Sequence, residues 1–473
     1  MIAARAYKDR KVAVFGLGGS GLSTARALVA GEAHVMAWDD SETQRQLARA
    51  AGVPVVDLLE TSLDGCAALV LAPGVPLTHP EPHAIVKKAA AAGVPVLGDV
   101  ELFQHEVRSI MPDAQIVAIT GTNGKSTTTA LIAHMVNAVG RHAEMGGNIG
   151  KPVFDLDPPR RDTIYVVEVS SYQIDLAPTL RPNIGVLLNV TPDHIDRHGT
   201  LENYAAIKGR LFRHQGKDDT AVIGVDDQLS ADICTSVCGR REAKLVPVSV
   251  QKTLGRGTYV IDGVLYDSRS GKTDRVGELR ELKRLAGAHN WQNAAAAYSV
   301  GRGLGFPAEK ILAAFKTFPG LAHRMEIVAE AADILFVNDS KATNAEAAAK
   351  ALDAYEDVFW IAGGVAKAGG IRSLEPWFGH VAHAYLIGEA AEAFAETLTN
   401  HLPFSKSDTL DAAIAEATTH AVAAARAGRK PVVLLSPACA SFDQFKNFEA
   451  RGDAFRTMVQ AAVKALPRGG AAA

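Results

Sequence analysis

The sequence predicts an α/β protein of three domains, each built on a mainly parallel sheet. Short β-branched runs alternate with longer helical patterns along the whole chain, which is typical of parallel sheets covered by helices. The length of 473 residues exceeds what one hydrophobic core usually organises. Two separate glycine-rich turns each follow a buried strand and open a helix, so at least two of the domains should bind phosphate groups.

The composition argues against several classes of protein. Lys and Arg number 49 against 52 Asp and Glu, a net charge of -3, so no basic face for nucleic acid is expected. Four cysteines are too few for a disulfide framework and fit a reducing cytoplasm. No run reaches the roughly eighteen apolar residues of a membrane-spanning helix, so membrane insertion is not expected. We therefore expect a cytoplasmic protein.

The first glycine-rich turn predicts a Rossmann-like domain. Gly16, Gly18 and Gly21 fit the GxGxxG pattern after the strand Lys11–Phe15, and Asp39 follows 18 residues after the last glycine. A dinucleotide-binding fold places its ribose-binding acid at this distance. Read alone the pattern would suggest NAD, but it guarantees only a turn that accommodates phosphate. Further strands are predicted at His34–Trp38, Ala68–Leu71 and Val94–Leu97.

The second glycine-rich segment, Gly121–Thr127, follows the predicted strand Ile116–Thr120 and opens a helix. Backbone N–H groups in such a loop wrap phosphate oxygens, and the helix start contributes its positive dipole end. Lys125 would contact the β- and γ-phosphates of ATP, and Ser126 or Thr127 would supply an oxygen to Mg²⁺. The segment therefore predicts a central ATP-binding domain.

Two candidate metal ligands follow neighbouring strands. Glu168 stands at the end of the apolar strand Ile164–Val169, where a carboxylate faces the crevice in which ligands bind. His194 follows the strand Ile184–Asn189; Mg²⁺ prefers oxygen, so a lone histidine here would more often be structural. The phosphate loop itself departs from GxxxxGK[ST], because Ile119 occupies the first glycine position.

The remaining chain predicts a small insertion and a second Rossmann-like domain. Val246–Leu282 alternates like an antiparallel insertion with tight turns, and Pro319–Gly320 is a natural boundary. We place the domains at residues 1–108, 109–320 and 321–473. Strands of the last domain are predicted at Ile334–Val337, Val358–Ile361, Ala384–Ile387 and Val432–Leu435.

Separate motifs follow one another along the chain in an order that identifies a family. They are Gly16–Gly21, Gly98–Phe103, Thr120–Thr127, Gly147–Gly150, Glu168–Gln173, Asn189–Arg197, Gly287–Asn293, His323–Glu326, Asn338–Asn344 and Ser436–Gly452. With these motifs the chain resembles the Mur ligases over nearly its whole length. The last of them, SPACASFDQFKNFEARG, is specific for the members that add D-glutamate.

The resemblance implies an ATP-dependent amide ligase of peptidoglycan precursor synthesis. ATP would phosphorylate the carboxylate of UDP-N-acetylmuramoyl-L-alanine, and the amine of D-glutamate would attack the acyl phosphate. The tetrahedral intermediate would collapse to amide, ADP and phosphate. The first domain would bind the UDP-sugar, the central domain ATP, and the last would close over the amino acid. We expect a monomer whose partners are these small molecules.

The resemblance also implies roles in catalysis and metal binding. Lys125 should hold the transferring phosphate, with Ser126 and Glu168 on a first Mg²⁺. His194 should assist a second Mg²⁺. Lys208 matches the family's carbamoylated lysine, whose carbamate would be an oxygen ligand suited to Mg²⁺. Carbamoylation requires a neutral amine, which burial favours.

Further residues are carried over by matching motifs, with Lys341 expected to stabilise the charged transition state. The ATP-binding set is Gly121, Thr122, Asn123, Gly124, Lys125, Ser126, Thr127, Asn290, Asn293, Arg324 and Asp339. The UDP-sugar set is Gly18, Ser20, Asp39, Pro73, Gly74 and Asn148. The D-glutamate set is Thr343, Lys367, Ser441, Phe442 and Phe448. After Asp39 the chain reads Asp40-Ser41, where some relatives carry Thr-Arg, so the uracil contacts stay open.

Three alternatives remain at this stage. Another amide ligase of the same superfamily, adding L-alanine, a diamino acid or folate glutamate, would share the phosphate loop. An NAD-dependent dehydrogenase would explain Gly16–Asp39 but leaves the Lys125 loop unexplained. A catalytically silent nucleotide-binding protein would not be expected to retain Lys125, Glu168, His194, Lys208 and Lys341 together.

Overall fold

The computed structural model describes residues 1–240, 242–367 and 369–466. The chain forms two compact units. The first contains Met1–Leu282 and Ala288–Phe318, and the second contains Lys283–Gly287 and the chain from Pro319 onward. Three parallel-rich sheets covered by helices make up these units, so the predicted α/β class is confirmed. No helix in the described ranges is long and apolar enough to cross a membrane.

The first sheet of unit one is parallel, with strand order β2-β1-β3-β4. Its elements are β1 (Lys11–Phe15), α1 (Gly19–Ala30), β2 (His34–Trp38), α2 (Glu42–Ala50), β3 (Ala68–Leu71), α3 (Ala84–Ala91), β4 (Val96–Leu97) and α4 (Asp99–Ile110). The start of α1 lies so close to the end of β1 that a Cβ on Gly21 would stand 1.8 Å from the Gly16 carbonyl oxygen. Glycine at position 21 is therefore required by the close approach of backbone to backbone.

The central sheet of unit one follows. Its elements begin with β5 (Gln115–Thr120), α5 (Lys125–Ala138), β6 (His142–Gly147), β7 (Thr163–Glu168), α6 (Ser171–Asp175), β8 (Ile184–Leu187), α7 (Ile195–His198) and α8 (Leu201–Gly209). They continue with β9 (Thr220–Gly224), α9 (Gln228–Arg240), β10 (Lys244–Ser249), β11 (Thr258–Ile261), β12 (Val264–Asp267), β13 (Asp274–Glu278), α10 (Ala288–Gly303) and α11 (Ala308–Thr317). Over the described chain the strand order is β13-β12-β11-β10-β9-β8-β5-β7-β6.

The predicted insertion at 246–282 extends the central sheet. Strand β10 pairs in parallel with β9, and β11 pairs in parallel with β10. Antiparallel pairing begins only at β11–β12 and continues in β12–β13. The alternating pattern thus indicates the antiparallel ribbon correctly, but its first strand belongs to the parallel part of the sheet.

The N-terminal segment joins the two sheets of unit one. The Ile2 N–H donates to the Phe154 carbonyl at 2.8 Å, and the Ala4 N–H donates to the Ala27 carbonyl at 2.9 Å. Phe103 meets Phe154 edge to face, with ring centroids 6.4 Å apart. Both phenylalanines are buried. Because these contacts link β-sheet loops and helices of both sheets, the two sheets share one packed core.

Unit two carries the remaining elements. They are β14 (Glu326–Ala331), β15 (Ile334–Asn338), α12 (Ala345–Ala354), β16 (Val358–Gly363), β17 (Val365–Ala366), β18 (Val381–Ile387), α13 (Ala391–Leu398), β19 (Phe404–Asp408), α14 (Leu410–Arg426), β20 (Val432–Leu435), β21 (Cys439–Ala440) and α15 (Phe448–Ala465). The main sheet has the order β14-β15-β20-β16-β18-β19, parallel except for β14, and β17 pairs with β21 separately. The Trp360 indole is fully buried and donates to the Ser436 carbonyl at 2.8 Å.

We expect Phe154→Ala to destabilise unit one by about 3–5 kcal/mol, because it leaves a cavity where the two sheets share their core. The measurement is the unfolding midpoint in urea. The matched control is Leu47→Ala, whose side chain is among the exposed large hydrophobics; its effect should stay within about 0.5 kcal/mol. Equal losses in the two variants would contradict the role assigned to this aromatic contact.

Candidate active site

An asparagine that follows the neighbouring strand fixes the shape of the phosphate loop. Asn189 follows β8, its carbonyl accepts from the Thr122 N–H at 2.9 Å, and its Oδ1 accepts from the Asn123 N–H at 2.8 Å. The loop therefore has a defined shape before any ligand binds. Sequence reasoning assigned Asn189 no role, although a polar residue at the carboxyl end of a parallel strand was a usable signal.

The departure at Ile119 has a structural reason. Ile119 lies inside β5 and is fully buried, so the loop begins only at Gly121, with φ +150°, and ends at Gly124, with φ +84°. A Cβ on Gly124 would stand 2.3 Å from the Asn293 Oδ1, and Asn293 also donates to the Asn290 Oδ1 at 3.2 Å. The structure thus brings the two predicted adenine-side asparagines of α10 against the end of the loop.

Two lysines share one acceptor at the base of the loop. The Lys125 Nζ donates to the Gly121 carbonyl at 2.9 Å and to the Thr122 carbonyl at 2.8 Å. The Lys208 Nζ donates to the same Gly121 carbonyl at 3.0 Å and to the Thr120 hydroxyl at 3.3 Å. Burial, reinforced by the Lys125 charge, holds the pKa of Lys208 well below its usual range. Both effects disfavour the charged form of Lys208 relative to the neutral amine.

Tyr204 shields the buried lysine from one side. The Lys208 Nζ lies 4.5 Å from the centre of the Tyr204 ring, and the Tyr204 hydroxyl is 3.3 Å from the Thr122 hydroxyl. Both side chains belong to α8, which begins where the Thr200 hydroxyl accepts from the Asn203 N–H. Tyr204 was missed by sequence reasoning, although the i, i+4 spacing from Lys208 places both on one helix face.

Glu168 offers an oxygen suited to a cation. The side chain is buried at the end of β7, and its Oε1 accepts from the Asn148 Nδ2 at 2.9 Å. Its Oε2 is buried and has no hydrogen-bond partner among the described residues. A buried carboxylate oxygen without a donor is costly unless a cation or a further donor meets it. Because Mg²⁺ on a nucleotide typically needs only one or two carboxylates besides phosphates and water, Glu168 fits this role.

His194 stands at the mouth of the same loop system. It has left-handed backbone geometry, with φ +53°, and precedes the single turn α7. Its ring lies 4.9 Å from the Tyr172 ring and 6.4 Å from the Tyr204 ring. Burial lowers the pKa of His194, and the charges of Lys125 and Lys208 lower it further against the opposing effect of Asp193. The imidazole is therefore neutral near pH 7, as a metal ligand must be.

The predicted UDP-sugar residues of the first sheet lie at the carboxyl ends of its parallel strands, in loops or, for Ser20, in the first turn of α1. They are Gly18, Ser20, Asp39, Pro73 and Gly74. The Asp39 carboxylate accepts from the Leu17 N–H at 2.5 Å and from the Ser41 N–H at 2.8 Å. It thereby holds the glycine-rich turn against the end of β2. Ligands of open parallel sheets bind at this edge.

An arginine reaches this edge although Asp40-Ser41 lacks one. Arg45 of α2 donates from Nη1 to the Asp39 carbonyl at 2.6 Å and to the Asp40 carbonyl at 3.0 Å. Its guanidinium carbon lies 4.4 Å from the centre of the Trp38 ring. A positive charge therefore accompanies the two acidic residues that follow β2.

In unit two, Lys341 is oriented by aromatic and backbone contacts. Its Nζ lies 3.9 Å from the centre of the Phe448 ring, a close cation–π contact. Its N–H donates to the His323 carbonyl at 2.9 Å, and its carbonyl accepts from the Thr343 N–H at 2.8 Å. The structure thus brings Phe448, the first residue of α15, against the loop that carries Lys341 and Thr343.

Arg451 is a buried cation that sequence reasoning missed. Its Nε donates to the Ser340 hydroxyl at 3.0 Å, and its Nη2 donates to the carbonyls of Ser340 and Cys439 at 2.9 and 3.0 Å. Burial lowers the pKa of Arg451 to about 10, so it stays charged near pH 7. Because Ser340 precedes Lys341 and Cys439 precedes Ser441 by two positions, Arg451 ties the two predicted segments together.

Asp339 is buried beside the positive-φ residues His323 and Met325, which flank Arg324. Its Oδ1 accepts from the Met325 N–H at 3.1 Å, and its Oδ2 accepts from the Ser436 hydroxyl at 2.8 Å. Burial outweighs these hydrogen bonds and raises the pKa of Asp339 to about 7. Asp339 therefore also holds the loop that carries Arg324, which no sequence pattern indicated.

The remaining predicted D-glutamate residues lie around the small β17–β21 ribbon. The pairing of Ala366 with Cys439 sets Lys367, which is exposed, beside the strand that leads to Ser441. Ser441 is buried. Phe442 is 74% exposed, so it is not part of a hydrophobic core. An exposed aromatic side chain of this size is available for binding.

Family models match most of the chain. A Mur ligase MurD-like N-terminal domain matches residues 10–98, a Mur ligase middle domain matches residues 119–301, and a Mur ligase, glutamate ligase domain matches residues 323–439. The chain is 54% identical to a UDP-N-acetylmuramoylalanine–D-glutamate ligase of Brucella abortus, over 99% of this chain and 100% of that protein. This chain belongs to the Mur ligase family. A ligase of the same name from Caulobacter vibrioides is 51% identical over 99% of each chain.

Solved Mur ligase structures support the fold. The UDP-N-acetylmuramate–alanine ligase MurC of Thermotoga maritima aligns with a TM-score of 0.57 at 17% identity, over 96% of this chain and 99% of that chain. MurF of Acinetobacter baumannii aligns with a TM-score of 0.54 at 17% identity, over 85% and 86% of the two chains. The predicted Mur ligase resemblance and its three-domain fold are confirmed. The roles of individual residues remain predictions.

We expect Gly124→Ala to weaken ATP binding to this Mur ligase by at least about tenfold. The added Cβ would meet the Asn293 side chain in a left-handed backbone position, so the loop cannot keep its shape. Gly140→Ala is the matched control, because Gly140 has φ +86° but open space around its Cβ position. The measurement is calorimetric titration with ATP. Equal affinities in the two variants would argue against the Gly124–Asn293 contact as a determinant of binding.

Proposed function

We propose that this chain joins D-glutamate to UDP-N-acetylmuramoyl-L-alanine with conversion of ATP to ADP and phosphate, in the synthesis of peptidoglycan precursors. The observation that carries the proposal is the 51–54% identity, over nearly the full length, to ligases named for this reaction. The phosphate loop at 121–127, with Lys125 at its helix start, supports the use of ATP.

The chemistry explains why ATP is needed. A carboxylate is a poor electrophile, and its oxygen could leave only as oxide or hydroxide, which are poor leaving groups at neutral pH. Transfer of the γ-phosphoryl group to the alanyl carboxylate makes an acyl phosphate and ADP. The D-glutamate amine attacks the acyl carbon, the tetrahedral intermediate expels phosphate, and the amine loses a proton as the amide forms. The protein contributes alignment of the three reactants and compensation of their charge.

The triphosphate would be bound by the phosphate loop. The loop N–H groups that Asn189 does not accept from, together with those at the start of α5, would donate to phosphate oxygens, and Lys125 would exchange its hydrogen bonds with loop carbonyls for phosphate oxygens. Asn290 and Asn293, which lie against Gly124, would contact the nucleotide. Arg324 and Asp339 of unit two would contribute further nucleotide contacts.

Two Mg²⁺ sites are part of the proposal. Ser126 and Glu168 would hold the first ion, and His194 with a carbamate on Lys208 would hold the second. Bound Mg²⁺ supplies neutralisation of phosphate charge during transfer. The unpartnered Glu168 Oε2 and the neutral His194 ring support this assignment.

The carbamate on Lys208 has a direct physical rationale. A neutral amine attacks CO₂, a C–N bond forms, one proton is released, and a carbamate anion results. The lowered pKa of Lys208 favours the neutral amine that this reaction needs. Lys125 shares the Gly121 carbonyl with Lys208, so the same charge that disfavours a second cation favours the new anion.

We propose three domains, at residues 1–108, 109–320 and 321–473. The UDP-sugar would bind mainly to the first of them and D-glutamate to the last. Gly18, Ser20, Asp39, Pro73, Gly74 and Asn148 would bind the UDP-sugar. Lys341 would stabilise the transition state, and Thr343, Lys367, Ser441, Phe442 and Phe448 would bind D-glutamate. A lysine and hydroxyls suit an amino acid with two carboxylates. We further propose a cytoplasmic monomer.

We expect phosphate release from ATP only when both UDP-N-acetylmuramoyl-L-alanine and D-glutamate are present. A pairwise assay of UDP-sugar precursors against amino acids, with phosphate release as readout, measures this. L-glutamate, L-alanine and a diamino acid serve as controls. Equal turnover with any of them would reject D-glutamate as the substrate and favour another amide ligase of the superfamily.

We expect Lys208→Ala to lower kcat by about 10²–10³-fold, because a charged ligand at the reacting phosphate is lost. Short carboxylic acids should restore part of the activity by replacing the carbamate oxygens. The matched control is Lys217→Ala, which removes an exposed lysine elsewhere in the same domain. Full activity of Lys208→Ala without added acid would reject the carbamate.

A further inference from the structure

The single turn α7 connects the proposed metal site with the proposed UDP-sugar loop. It is bounded by two left-handed residues, His194 with φ +53° and Gly199 with φ +79°. The Arg197 N–H donates to the His194 carbonyl at 3.0 Å, which fixes the two residues relative to each other. A shift of Arg197 would therefore be transmitted to His194 through one hydrogen-bonded turn.

Arg197 extends from this turn to the first sheet's loop. Its Nη1 donates to the Gly74 carbonyl at 2.9 Å, and its guanidinium carbon lies 4.8 Å from the centre of the Tyr172 ring. Its Nε is buried with no hydrogen-bond partner among the described residues. A half-buried guanidinium with an unsatisfied N–H contributes little to the stability of the fold, because the free energy lost on removing that N–H from water is not recovered by a hydrogen bond.

A second contact joins the same two loops. A Cβ on Gly199 would stand 2.7 Å from the His79 Nε2, so the backbone after α7 packs directly against the loop that carries Gly74. Two separate contacts, at Arg197 and at Gly199, thus hold one loop against the other. Two points of attachment restrict rotation as well as translation.

The opposite side of α7 is anchored to the strand end that carries Glu168. His198 is buried, its Nε2 lies 2.9 Å from the Ser171 hydroxyl, and its ring stacks on Tyr172 with centroids 5.1 Å apart. Burial lowers the pKa of His198 to about 4, so it is neutral near pH 7. α7 is therefore held by His198 on the metal side and by Arg197 on the sugar side.

We propose that Arg197 is a positioning residue that sets the distance between the UDP-sugar loop at Pro73–Gly74 and His194. The inference rests on the proposed function and deepens it, because Arg197 acts through Gly74 and His194 without touching a reacting atom. Loss of the guanidinium releases the sugar loop and changes its alignment with the phosphate that is transferred. Both the affinity for the UDP-sugar and the rate of the chemical step depend on this distance.

The test compares Arg197→Ala and Arg197→Lys with the full-length wild type. In Arg197→Ala, the KM for UDP-N-acetylmuramoyl-L-alanine rises and kcat falls, each by about tenfold or more, while the KM for ATP stays within about twofold. Arg197→Lys keeps the charge near Tyr172 and recovers part of the loss. Added methylguanidinium restores part of the activity of Arg197→Ala. Arg213→Ala, an exposed arginine elsewhere in unit one, is the matched control and behaves as wild type.

Two results would overturn the inference. One is wild-type kinetics in Arg197→Ala. The other is an equal change in the KM values of all substrates with a lowered unfolding midpoint and no guanidinium rescue, which would make the role purely structural. If the wild type itself does not add D-glutamate, the proposed function fails on its own. The inference is then decided by calorimetric titration with the UDP-sugar, in which Arg197→Ala must still bind more weakly than Arg213→Ala.

Discussion

The Gly121 carbonyl oxygen, which accepts from the Nζ atoms of both Lys125 and Lys208, is the contact on which the rest of the site depends. Two full positive charges this close to one acceptor and away from water would repel strongly. Burial and the neighbouring cation both lower the pKa of Lys208 and so disfavour its charged form. The loop thus brings Lys125, at the start of α5, beside a buried lysine whose charged form is disfavoured.

The scaffold around this contact consists of strand ends. β5 ends at the phosphate loop, and β7 ends at Glu168. β8 ends two residues before Asn189, whose side chain accepts a hydrogen bond from that loop. Parallel strands place their carboxyl ends at one edge, so three separate segments meet there without long connections. The cost is the partial removal of polar groups from water: Glu168 Oε2 is buried with no hydrogen-bond partner among the described residues, and the pKa of the largely exposed His194 is lowered. In the proposed function, Mg²⁺ and ATP would offset both features.

The sequence predicted secondary structure best where a short local pattern is enough to define an element. β1, β2, β3 and β20 have the predicted bounds, because short apolar runs between turns define buried strands. β6 and β14 were missed; glycines in the first and charged residues in the second obscure the strand pattern. In the site, motifs indicated Lys125 and Glu168. Asn189 and Arg451 stand within the listed motifs, but neither they nor Tyr204 were assigned a role, because their roles depend on which distant groups the fold places beside them.

The two units differ in how strongly burial and hydrogen bonds restrict their predicted site residues. In unit one, Lys208 and Glu168 are almost fully buried, and every element that carries them is held by hydrogen bonds across the sheet edge. In unit two, Lys367 and Phe442 are exposed, and the buried Arg451 fixes the backbone beneath their loops. Phosphoryl transfer is favoured by charged groups that are already in position before the substrates bind. A binding site for a small amino acid can instead use side chains that become ordered when the ligand binds. The proposed roles, phosphoryl transfer at Lys208 and Glu168 and amine selection at Lys367 and Phe442, would be consistent with this distribution of burial.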